Sequence, residues 1–152
     1  FSSENTRVDL DALLSGYQDG YHLYTCGPDR YMTSVLAAGE KNGWKDEALH
    51  KEYFSSPELP EYENFDFTLQ LAKSGQEIKV LAEENASDAL LKAGVHVNVK
   101  CADGICGVCK CSVISGEVEH RDFVLSNAQQ NQNMILCQSR AAEENGVVEI
   151  DL

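Results

Sequence analysis

A chain of 152 residues, 43% of them hydrophobic and only three of them proline, can bury one core or two small ones, which excludes wholesale disorder. Its formal charge of −13 excludes the lysine and arginine neutralisation of phosphates on which nucleic-acid binding depends. No run approaches the roughly 18 apolar residues of a membrane span, so no membrane partner is expected.

Val8, Leu10, Leu13 and Leu14 have helical spacing, and Gly16 ends that short stretch. The run YHLYTC, Tyr21 to Cys26, reads as a strand that Gly27 and Pro28 break. Pro28 suits the first turn of a helix running to about Asn42, with Met32, Val35 and Leu36 on its buried face. A second strand is predicted over Ala48–Phe54, and strand–helix–strand is a parallel-sheet unit. Such a unit is too small to stand comfortably alone. With Phe1 in first place and FSSENTR after it, the chain reads as part of a longer protein.

Residues 55–64, SSPELPEYEN, combine two prolines with three glutamates. That composition predicts a linker between residues 1–54 and residues 65–152. FDFTLQLA (Phe65–Ala72) alternates with period two, and EIKVLA (Glu77–Ala82) supplies the second arm of a hairpin. SDALLKAG predicts a short helix with Ser87 as its N-cap and Gly94 as its stop. Beyond it lie a cysteine-rich loop, a strand and turn in KCSVISGEVEH, a strand in NMILCQS and a closing strand in GVVEIDL. The expected architecture is α+β, a sheet curling around one helix.

The cysteines carry the chemistry. Their spacing is Cys101-x4-Cys106-x2-Cys109, then 27 residues, then Cys137. This is the plant-type arrangement in which four thiolates hold a [2Fe–2S] cluster. Gly104 and Gly107 allow the loop to turn its amides onto the sulfurs. A structural zinc site would call for two Cys-x2-Cys knuckles or added histidines. CGVC as a dithiol redox pair would open a helix after a strand, which this loop does not do. Disulfides belong to short exported chains, and no export pattern is visible, so a reducing cytoplasm is the expected compartment. Cys111 follows a candidate ligand by two residues and is expected to pack rather than bind metal.

CADGICGVCKCSVISGEVEHRDFVLS followed by MILCQSRA closely resembles the carboxy-terminal ferredoxin domain of phthalate dioxygenase reductase-type flavoproteins. HLYTCGPDRYMTSVLAAGEKNGWKDEALHKEYF resembles the end of their nicotinamide-binding domain. The resemblance implies a β-grasp ferredoxin domain preceded by the last α/β part of a ferredoxin-reductase-like domain. It implies electron flow from NADH through FMN to the [2Fe–2S] cluster and on to a Rieske-type oxygenase. Cys101, Cys106, Cys109 and Cys137 would be the cluster ligands. Cys26, Gly27 and Pro28 match the Cys-Gly-Pro motif beside the nicotinamide ring, although Cys26 alone would read as a buried strand residue. Phe54 matches the aromatic residue close to the flavin, or serves interdomain packing. His120, Arg121 and Asp122 match a recurrent triplet with no role beyond turn hydrogen bonding. The flavin domain and the glycine-rich nicotinamide loop are absent, so the FMN domain would lie elsewhere in the same protein or on another chain. The alternative is a stand-alone ferredoxin-like electron carrier. Acidic residues Asp103, Glu117 and Glu119 around Ile105 and Val108 would face the oxygenase.

Overall fold

The computed structural model describes residues 8–53, 56–57 and 60–152. The chain divides into two compact units, Phe1–Phe54 and Ser55–Leu152.

In the first unit, Asp9 caps helix α1 (Leu10–Leu14) by accepting the Ala12 N–H at 3.1 Å. Five helical residues make little more than one turn, which cannot present a four-residue stripe. Leu14 is the one buried, whereas Val8 and Leu13 are 68% and 67% exposed. Strand β1 (Leu23–Cys26) pairs in parallel with β2 (Leu49–Glu52), and helix α2 (Asp29–Lys41) connects them. The strand–helix–strand reading therefore holds. Pro28 occupies the N-cap rather than the first turn, with φ −57° already helical and ψ 142° still extended. Met32 and Val35 are buried and Leu36 is half-buried. The helix meets the strands at Gly39, where a Cβ would lie 2.8 Å from Leu49 Cδ2.

The second unit is built on a mixed five-stranded sheet. Its strands are β3 (Phe67–Leu71), β4 (Glu77–Val80), β5 (Lys110–Ser115), β7 (Asn133–Ile135) and β9 (Val147–Ile150), in the order β4-β3-β9-β5-β7. Strand β3 runs parallel to β9 and antiparallel to β4. The short strands β6 (Val118–Glu119) and β8 (Arg140–Ala141) pair apart from it. Period-two alternation sends Phe67, Leu69, Leu71, Ile78 and Val80 inward, where Leu90 of helix α3 (Ala86–Lys92) joins them. Burying each such side chain contributes about 2 kcal/mol.

Three local readings change. The cap of α3 is Asn85, whose side chain accepts the Asp88 N–H at 2.8 Å. Ser87 lies inside the helix and donates to Asn85 Oδ1 instead. Strand β7 stops at Ile135, so Cys137 sits in the turn beyond it. A one-turn helix α4 (Asn127–Gln130), closed by a Ser126–Gln129 capping box, stands where no element was expected. Among the described residues no helix is long and apolar enough to cross a membrane.

Candidate metal centre

The four candidate ligands come from two places in the second unit. Cys101, Cys106 and Cys109 lie on the loop leading into β5, and Cys137 lies in the turn after β7. The Leu136 N–H donates to Cys109 O at 3.1 Å, which fastens the turn to the loop. The loop takes its shape from left-handed residues: φ is +61° at Ala102, +71° at Gly104 and +69° at Gly107. Gly104 is also pressed between neighbours, since a Cβ there would lie 2.9 Å from Gln138 Cγ and 3.3 Å from Asp122 Cα.

The thiols are arranged two by two. Cys109 and Cys137 are buried, with their sulfurs 3.3 Å apart. Cys101 is half-buried, with its free thiol within hydrogen-bonding reach of the exposed Cys106. Burial pushes the Cys101 thiol up, but the amides of Asp103, Ile105 and Cys106 and the Cys106 thiol outweigh it and bring it down to about 7. In the inner pair the Cys137 thiol bonds to Cys109, which falls to about 6 against the effect of burial. That same bond, burial and the Cys109 charge raise Cys137, partly offset by the Gly104 amide. The loop thus gathers N–H donors around sulfur, the environment that favours thiolate.

This donor set fits a [2Fe–2S] cluster. Two thiolates are available to each iron, with amides to bear the negative charge. Among the described residues no three histidine, cysteine or acidic side chains gather as one metal ion would require. Cys111 faces the core, 8% exposed, on the strand leading away. Burial pushes its thiol up, with the Asp151 charge adding to the effect.

In the first unit Cys26 ends β1 and its thiol donates to Glu52 O at 2.9 Å. Far from being a buried strand residue, it is exposed. Gly27 and Pro28 lead from it to the α2 N-terminus, so the triplet occupies the carboxyl edge of a parallel strand pair. Open α/β sheets bind ligands at that edge. Phe54 lies outside the described residues.

Residues 69–142 match the family described as 2Fe–2S iron–sulfur cluster binding domain. The chain is 37% identical over 140 residues to the vanillate O-demethylase oxidoreductase of a Pseudomonas species, covering 91% of this chain and 44% of that protein. Phthalate dioxygenase reductase, a modular structure for electron transfer from pyridine nucleotides to [2Fe–2S], aligns with a TM-score of 0.65 at 29% identity, over 99% of this chain and 46% of that one. At its 2Fe–2S part the chain is similar to the phthalate dioxygenase reductase-type family. An intact type IV self-sufficient cytochrome P450 monooxygenase also aligns, with a TM-score of 0.67 at 34% identity over 99% of this chain and 20% of that one. The chain spans about half the length of the curated relatives it matches.

Around this reductase-type centre stand residues that spacing alone did not single out. Gln138 donates to Ala102 O at 2.9 Å and packs on Gly104, steadying the loop. Arg140, 5% exposed, donates to the carbonyls of Glu84, Phe65 and Leu81. Burial and the nearby Arg121 charge hold its guanidinium below its ordinary value. A charged residue three places after a ligand was the available signal. Glu119 is not a free acid, because Arg121 Nε donates to it at 2.7 Å.

Proposed function

We propose that this chain is the electron-exit half of an NADH- and FMN-dependent reductase that serves a Rieske-type oxygenase in the cytoplasm. Residues 1–54 are then the last part of the nicotinamide domain, 55–64 the linker and 65–152 a β-grasp ferredoxin domain. Cys101, Cys106, Cys109 and Cys137 hold the cluster. When bound, a [2Fe–2S] cluster supplies a one-electron site between a flavin, which accepts hydride, and an oxygenase.

The single observation that carries this reading is the asymmetry of the thiol pairs. Cys109 and Cys137 are buried, which keeps water from the inner side, while Cys106 is exposed and Val108 beside it is 43% exposed. An exposed edge of thiolate and apolar side chain is where an acceptor can come close. The amides of Asp103, Ile105 and Cys106 point at Cys101, placing fixed positive dipole ends where added negative charge must be borne. Cys26, Gly27 and Pro28 would receive the nicotinamide at the α2 N-terminus, a placement of no use to a plain carrier. Phe54 would stand close to the flavin.

A second reading concerns the acceptor alone. The likeness to a self-sufficient cytochrome P450 monooxygenase favours haem in place of a Rieske centre, with the same exit edge.

The test is direct. The purified chain, loaded with about two irons and two labile sulfides, should bleach with dithionite and not with NADH, whereas the full-length protein should contain flavin and bleach with NADH. Bleaching of this chain by NADH alone, or a full-length protein without flavin, would overturn the reading. Electron delivery to a Rieske or a haem oxygenase then identifies the acceptor.

A further inference from the structure

Arg121 is 7% exposed, and a buried guanidinium must find partners for its donors. One partner is local: Glu119 accepts from Nε at 2.7 Å. The others are three consecutive residues at the end of the linker. Nη1 donates to Asn64 Oδ1 at 2.6 Å, Nη2 donates to Glu63 O at 3.2 Å, and the guanidinium lies 4.2 Å from the centre of the Tyr62 ring. The residues that follow Arg121 hold the cysteine loop. The Phe123 N–H donates to Gly104 O at 3.0 Å, and Asp122 Cα packs against Gly104. Asp122 in turn accepts the Val124 and Leu125 amides, which fixes the turn. One polar cleft of about 260 Å³ is walled by Asn64 of the linker and by Ala102 and Cys137 of the centre.

We infer that Arg121 is a positioning residue for electron transfer: it clasps linker residues 62–64 beside the cysteine loop and so sets how much chain remains to reach the rest of the enzyme. The inference rests on the reductase reading above. Releasing the clasp adds three residues to the tether. A longer tether lowers the effective concentration of one module at another and frees the direction in which it leaves.

The experiment has two arms. In the first, a glutamate-specific protease is applied to the 152-residue chain and to Arg121→Gln. Cleavage after Glu63 should accelerate about tenfold, as expected when a local opening loses charge-assisted hydrogen bonds, with cleavage after Glu47 in the first unit unchanged. In the second, full-length protein is mixed with NADH in a stopped-flow device. Bleaching of the cluster should slow about twofold in Arg121→Gln, with the visible spectrum and the dithionite rate unchanged. Tyr62→Ala removes the ring without stranding a buried charge, and it should move both readings in the same direction if Arg121→Gln does not fold. Unchanged cleavage after Glu63 would overturn the clasp. Faster cleavage with an unchanged NADH rate would overturn the positioning role. Failure of the unaltered full-length protein to bleach would instead overturn the reductase reading, and this inference with it.

Discussion

Cys109 and Cys111 are separated by one residue, both are buried, and they have opposite fates. Cys109 meets Cys137 at 3.3 Å and is drawn toward thiolate, whereas Cys111 is left in the core, where burial raises its thiol. A serine oxygen is a poor substitute for a thiolate bonded to iron, but the side chain nearly fills the volume of a buried thiol. Cys111→Ser should therefore keep the visible spectrum and lose about 1 kcal/mol of stability for an added polar group. Cys109→Ser or Cys137→Ser should lose the spectrum. Absorption and thermal melting of the variants check both, and a colourless Cys111→Ser protein would reverse the assignment. The four ligand candidates were legible because spacing is a property of sequence. The pairing of Cys101 with Cys106 and of Cys109 with Cys137 was not, because it depends on how the loop folds back.

The alternation in FDFTLQLA marks β3, but its neighbours in the sheet are set by tertiary packing. Nothing in GVVEIDL distinguishes an edge strand from a central one, yet β9 lies between β3 and β5. The helix cap was misread for a related reason. Asn85 and Ser87 are both good capping residues, and only the geometry shows which side chain reaches the Asp88 amide. Arg140 and the linker partners of Arg121 stayed hidden because long-range hydrogen bonds leave no periodic trace. Just ahead of β3, Asp66 ties the sheet together: its carboxylate takes Lys79 of β4 at 2.8 Å and the Ala82 amide at 2.8 Å. Those two contacts hold the Asp66 carboxyl below its ordinary 3.8. A depressed carboxyl stabilises the fold above its ordinary value, and the gain fades as pH falls through the depressed one. Asp66→Asn should therefore melt at a lower temperature than the unaltered chain at neutral pH, and the gap should close in acid. A gap that is constant with pH would show that the charge contributes nothing.

Across the whole molecule the charge of −13 gives the exit edge an electrostatic character. Asp103 is exposed inside the cysteine loop and Glu117 is exposed at the next turn, while Glu119 is neutralised by Arg121. A basic rim on the oxygenase would speed encounter, and added salt would screen it. Transfer to the oxygenase should fall roughly threefold as ionic strength rises from about 0.05 to about 0.3 M. Asp103→Lys should slow it at low salt with the cluster spectrum intact. Rates indifferent to both changes would leave Val108 and its apolar surroundings as the docking surface. The order of chain synthesis adds a constraint that follows from the position of β9. The loop cysteines leave the ribosome ahead of Cys137, which trails Cys109 by 28 residues, and the middle strand of the sheet emerges later still. Such long-range pairing is slow to form, so a nascent chain displays three thiols before their fourth partner has a place to sit.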